Sequence, residues 1–328
     1  DTTDRVARYV SHHTGTLSNG SSTTVVVSGL ANDGTWEMLC ESDGAGVTKL
    51  KGTVSSGSFT VSHIASSVLT FDITWYVTNH IQIDEDYPNM LVVATGTATN
   101  GAIIDFPANV DGTNVLIYAR VNSSYHADNH KLHGYISRSL GKFRIWSGEV
   151  QYSGSTSVWD YFDGNGTNSL VSGSGAGAGT TSTQIDYVVC TQPSGVLPTP
   201  TSGFGLNVFK SDTTLAYSSE YQIMHIKQIT SILVPTVGTA FSPVTYTGQS
   251  DSNYVLINGT IDYRTVAVGQ NALVFQYGFY NICNYTSNTI VIVGGRTIIG
   301  PSLGSTFQSL GFNATGANRV FHIGELSA

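Results

Sequence analysis

Charged side chains are scarce in this chain. Asp, Glu, Lys and Arg together make up 11% of its 328 residues, and 14 basic against 22 acidic residues leave a net charge of −8. A phosphate-backbone binder needs clustered Lys and Arg, so nucleic acid is not an expected partner. No apolar run approaches the roughly 20 residues that span a bilayer as a helix, so no membrane insertion is expected. Cysteine is confined to Cys40, Cys190 and Cys283, an odd and widely spaced set, each within an apolar run such as Tyr187-Val188-Val189-Cys190. That pattern favours buried free thiols over disulfides or a zinc site. Apolar residues nowhere recur at i, i+3 and i+4 over a helical length, so helix should be nearly absent.

Catalytic signatures are missing as well. There is no Gly-x-Ser-x-Gly elbow, no His-Glu-x-x-His, no phosphate-cradling Gly-Lys-Ser/Thr and no dinucleotide fingerprint. Gly173-Ser174-Gly175-Ala176-Gly177 fails the elbow spacing, and a carboxylate pair such as Glu149 with Asp160 is not singled out by any spacing. An enzyme is therefore not expected, and no cofactor is called for.

What is present is Gly, with 36 residues, together with abundant Ser and Thr, a composition suited to many short strands joined by tight turns. These strands come in a repeated order. An apolar alternation, one or two acidic or hydroxyl residues, a Tyr and a second alternation occur in Ile81 to Val93 and again in Leu215 to Ile226. Asp1 to Val10 is a weaker third version. Each is followed by a second run, an Asp-Gly or Asp-Ser turn and a strongly apolar strand. The second runs are Thr24 to Val27, Ala102 to Phe106 and Phe241 to Tyr246, and the apolar strands are Trp36 to Cys40, Val115 to Ala119 and Tyr254 to Ile257.

The expected fold class is thus all-β: three tandem antiparallel β-sandwich domains, jelly-roll or immunoglobulin-like, at residues 1–78, 79–193 and 204–328. Pro193 to Gly203, with three prolines, reads as an extended linker, 194–203 at its narrowest. The third Tyr-containing stretch is preceded by Phe204 to Phe209, whereas nothing precedes Asp1. The opening strand of the first domain is expected upstream of Asp1 or from another subunit.

His126-Ala127-Asp128-Asn129-His130-Lys131-Leu132-His133 is the densest set of potential metal ligands, but its spacing fits no metal motif and a solvated loop explains it better. Asp84-Glu85-Asp86 and Asp163-Gly164-Asn165-Gly166 stop short of a calcium loop, and the former suits a turn. Trp146, Tyr152, Trp159, Tyr161 and Phe162 make the middle segment aromatic. A sugar-stacking or docking surface would use such residues, with at least half of them packed in the core instead. Trp146, Trp159, Tyr161, His126 and His130 are the candidate surface-recognition residues.

Gly205-Leu206-Asn207-Val208-Phe209-Lys210-Ser211-Asp212, then Leu215 and Ser218-Ser219-Glu220-Tyr221, resemble a family of tailed-bacteriophage proteins of the tail tip and tail fibres. Ile81 to Tyr87 matches more loosely. The resemblance covers the openings of domains and implies a non-enzymatic virion protein built of β-sandwiches and assembled in the host cytoplasm. Its implied partners are other phage tail proteins and a host cell-surface glycan or protein, and no catalytic residues come with it. Low charge and many strand edges call for self-association as well, a trimer being favoured. A bacterial secreted or surface glycan-binding adhesin is the second reading, and a glycan depolymerase, which needs a carboxylate pair, the third.

Overall fold

The computed structural model describes residues 5–18, 20–27, 36–43, 50–55, 58–63, 69–80, 90–108, 110, 112–125, 130–137, 141–149, 183–192, 205–209, 211–213, 215–233, 244–247, 253–257, 261–263, 275–284, 289–298, 307–308 and 318–326. These residues are strands and turns with two single 3₁₀ turns at Gly112–Asn114 and Ser123–Tyr125, and no α-helix occurs among them. Every strand pairing is antiparallel.

The first segment contributes β1 (Arg5–Leu17), β2 (Ser22–Val26), β3 (Trp36–Asp43), β4 (Leu50–Ser55), β5 (Ser58–His63) and β6 (Leu69–His80). The second contributes β7 (Leu91–Thr99), β8 (Ile103–Asp105), β9 (Val115–Val121), β10 (His130–Ser137), β11 (Lys142–Glu149) and β12 (Gln184–Thr191). After a hairpin of β13 (Asn207–Phe209) and β14 (Leu215–Ser218) come β15 (Met224–Leu233), β16 (Val244–Thr247), β17 (Tyr254–Leu256), β18 (Ile261–Tyr263), β19 (Phe275–Asn284), β20 (Thr289–Ile298), β21 (Phe307–Gln308) and β22 (Asn318–Leu326). The hairpin carries the 205–221 motif singled out in the sequence. The Pro-rich linker lies outside the described residues.

One ten-stranded sheet runs β21-β3-β6-β1-β15-β22-β17-β9-β12-β7, so strands of all three segments share it. Within it each segment uses the same three strands in the same order. The sixth strand lies between the third and the first in β3-β6-β1 and in β9-β12-β7, and β17-β22-β15 matches them once the short extra strands β18 and β21 are set aside. The remaining strands also agree: β2-β5-β4, β8-β11-β10 and β16-β20-β19 are each second, fifth, fourth. The apolar runs Trp36 to Cys40, Val115 to Ala119 and Tyr254 to Ile257 are thus the third strands, or their cores, of three equivalent sets.

The equivalence extends to an irregularity. Pairing between first and sixth strands slips by one residue, on the first strand, at Val10 between Tyr9 and Ser11, at Val93 between Val92 and Ala94, and at Lys227 between Ile226 and Gln228. A one-residue bulge bends its strand and sharpens the twist. The bends curl the sheet until the starts of β1, β7 and β15 meet. Met90 N–H donates to Ala7 O at 3.2 Å, Val92 N–H donates to Gln222 O at 2.9 Å, and Leu91 bridges Ile223. Tyr221 stands at the same offset before Lys227 as Tyr87 does before Val93, although Tyr87 itself lies outside the described residues.

Alternation along each strand divides the interior in two. On one face Val115, Ile117, Ala119, Val121, Ile185, Val189, Val255 and Ile323 pack against Leu132, Phe143, Ile145 and Ile290 of β10, β11 and β20. On the other, the residues just before the bulges gather: Ala7 and Tyr9, Met90 and Val92, Met224 and Ile226, with Tyr76, Leu116, Tyr118, Val188, Cys190, Tyr254 and Leu256. Being covered on both faces, β9 carries the near-continuous apolar run Val-Leu-Ile-Tyr-Ala. Each such aliphatic or aromatic side chain contributes roughly 1.5–3 kcal/mol by leaving water.

Candidate functional site

The polar centre of the molecule sits where the three segments converge. His322 projects from β22 into the second interior, 1% exposed, and its Nε2 lies 3.1 Å from the Thr78 hydroxyl of β6 while its Nδ1 lies 3.1 Å from the Tyr118 hydroxyl of β9. One residue from each segment therefore meets at a single ring. A neutral imidazole has one donor and one acceptor nitrogen, and hydroxyls can complement either, so the arrangement is satisfied whichever tautomer is present. The ring also lies nearly parallel to that of Tyr118, at 22° with centroids 6.4 Å apart. Burial penalises the charged form and lowers the His322 pKa to about 3.

Tyr76 adds a second tie. It is fully buried, and its hydroxyl donates to Val115 O at 3.1 Å, joining the first segment to the second. Its ring meets that of Tyr9 edge-on. Chemically this centre is a joint. An imidazole shut inside the core here holds β6, β9 and β22 in one geometry.

A second polar group crosses the sheet nearer the surface. Asp186 of β12 accepts from Thr97 Oγ1 of β7 at 2.8 Å and from Asn122 Nδ2 at 2.9 Å, both through Oδ1, and its Oδ2 accepts from Arg120 Nε of β9 at 3.2 Å. The Arg120 guanidinium lies 4.6 Å from the centre of the Tyr254 ring of β17. Arg120 and Asp186 are direct cross-strand partners, so register alone brings the charges together. Burial raises the Tyr254 hydroxyl pKa, Arg120 opposing and Asp186 adding to the shift. Asn122 in turn accepts from Ser124 N–H at 3.1 Å, which fixes the chain as it leaves β9 toward His126.

Of the residues that the sequence nominated, two fall in described strands. His130 opens β10 opposite Glu149 and Cys283, and Trp146 lies in β11 opposite His133. His126, Trp159 and Tyr161 lie outside the described residues, as do Tyr152, Phe162, Asp84 to Asp86 and Asp163 to Gly166. No group of three His, Cys, Asp or Glu placed to hold a metal occurs among the described residues. Sequence reading passed over His322, Thr78 and Tyr118. The available signal was one polar residue inside Val320-Phe321-His322-Ile323, an apolar run whose length suggests burial on both faces. Comparison with protein-family models, curated proteins and solved structures gives no match to this chain.

Proposed function

We propose that this chain is a non-enzymatic structural protein of a bacteriophage tail, a component of the tip or of a fibre, which holds neighbouring subunits together and contributes to contact with the host surface. In this reading the three strand sets are divergent copies of one antiparallel β-sandwich domain, jelly-roll or immunoglobulin-like, laid out as 1–78, 79–193 and 204–328. The observation that carries it is the repeated order of six strands with a bulge at the same place in each first strand, united around a buried joint. The buried Thr78, Tyr118 and His322 side chains bond to one another across the three sets, as a framework requires. Low charge and the motif carried by the β13–β14 hairpin support the same reading. Other tail proteins, copies of itself in a trimer and a host-surface glycan or protein are the partners it implies, with assembly in the host cytoplasm.

Proteomics of density-purified tailed particles from the producing culture, paired with the cell-envelope fraction, tests this. The reading expects peptides of this chain at fixed stoichiometry in the particles. Recovery only from the bacterial envelope or medium, together with binding on a glycan array, would establish the adhesin in its place.

A further inference from the structure

Burial fixes which face of the β8-β11-β10 sheet is which. Phe143 and Ile145 of β11 and Leu132 of β10 are buried in the core, and the two strands pair residue for residue from His130 and Glu149 to Ser137 and Lys142 with no slip. Directly opposed residues share a face and successive residues alternate between faces. Lys142, Arg144 and Trp146 of β11 therefore lie with Lys131, His133 and Tyr135 of β10 on the face away from that core. β8 continues this face: Ile103 and Asp105 pair with Arg144 and Lys142 and are exposed, Ile103 to 47%, so solvent reaches this side of the sheet. Glu149 falls on the core side, opposite His130, which leaves Asp105 as the one acid at the outer positions of β8, β10 and β11. Asp105 is held by Lys142.

A chain of net charge −8 with only 14 Lys and Arg residues thus places Lys131, Lys142 and Arg144 on one small face, together with a Trp, a Tyr and a His. We propose that this face binds an acidic polysaccharide whose sugars carry carboxylates. Trp146 stands opposite His133 and Arg144 opposite Tyr135, so the two aromatic positions lie on one diagonal, Arg144 and His133 on the other, and Lys131 and Lys142 at the two ends. Neighbouring positions are about 5 Å apart across the strands and about 7 Å along them. An aromatic ring offers a flat apolar face to the C–H side of a sugar, while a guanidinium fork or an ammonium donates to its carboxylate. Lys142 to Trp146 spans about 14 Å, which suits a chain of sugars better than a single one. A polymer with a phosphate on every unit fits less well, because it asks for denser cations than a face where Asp105 already occupies Lys142. A protein partner fits less well too, since its interface would keep most charge at the rim. The biological role of this face rests on the proposed contact with a host surface. Binding by the purified chain is read without the particle proteomics, so the two readings can fail separately.

Isothermal titration of the full chain with polygalacturonate, hyaluronate and polysialate tests this, with neutral dextran and polyglutamate as controls. At least one of the three carboxylated polysaccharides should bind about tenfold or more tightly than either control, and less tightly as salt rises. Arg144→Gln and Trp146→Ala should each weaken that binding by about tenfold or more. Lys227→Gln, which removes a cation of β15 outside this face, should leave it unchanged. Should Trp146→Ala lose its circular dichroism spectrum, Arg144→Gln and Lys131→Gln carry the comparison. No binding to any of the three, polyglutamate bound as tightly as they are, which would point to an acidic protein partner, or binding that Arg144→Gln leaves unchanged each overturns the proposal.

Discussion

Acid should loosen this protein through one residue. The folded state holds His322 neutral down to about pH 3, whereas in the unfolded chain the ring takes up a proton near its ordinary value of 6.5. The unfolded state thus binds more protons between these limits, and stability falls as pH falls. The contribution is intact above pH 6.5, is lost at roughly 1.4 kcal/mol per pH unit on the way down, and levels off near pH 3. Between pH 7.5 and pH 4 the loss is about 3 kcal/mol, against a total of about 5–15 kcal/mol for an ordinary domain. Urea unfolding of the wild type and of His322→Gln at pH 7.5, 6, 5 and 4 isolates the effect, because carboxylates and the other histidines contribute equally to both proteins. The wild type should lose about 3 kcal/mol more than the variant over this range. Parallel pH dependence in the two proteins would refute the buried neutral ring.

Three further outcomes follow from the packing. Tyr118→Phe removes the hydroxyl that meets His322 Nδ1 and should cost about 1–3 kcal/mol in urea unfolding at pH 7.5; a change of only a few tenths would mean that the contact is not formed. Gly96→Ala places a Cβ against Tyr187 Oη and 2.6 Å from its Cζ, and Tyr187 is wedged edge-on against Phe143 with ring centroids 5.3 Å apart. The ring must shift, lowering stability by about 1–3 kcal/mol and the melting temperature with it, and an unchanged melting temperature would contradict that packing. Burial pushes the Cys190 thiol well above its ordinary pKa, so iodoacetamide should leave Cys190 unlabelled in the native protein and label it fully in urea, as read by peptide mass mapping.

Strand positions were legible because alternation and turn residues are local signals. The runs Thr24 to Val27, Ala102 to Phe106 and Val115 to Ala119 coincide closely with β2, β8 and β9. Val115 to Ala119 read as a strongly apolar strand, and the structure explains that apolarity by an interior on each face. The shared sheet left no local trace, since Arg5 pairs with Ile226 and Val255 with Ala119 across more than a hundred residues of chain. The bulges were equally silent: an inserted Val10, Val93 or Lys227 looks like any other strand residue until its partner strand is known. Arg120 and Asp186 met for the same reason, as register partners whose spacing in sequence says nothing. Of the candidates picked for aromatic or imidazole chemistry, His126, Trp159 and Tyr161 lie outside the described residues, while the polar residues that organise the centre lay hidden in apolar strands.

Three equivalent strand sets form one body, joined through a common sheet and the Thr78–His322–Tyr118 joint. Differential scanning calorimetry of the full chain at pH 7.5 tests it most directly. One body predicts a single transition whose calorimetric and van't Hoff enthalpies agree; two or three separable transitions, unaffected by His322→Gln, would show instead that the segments fold as independent domains and contradict the claim.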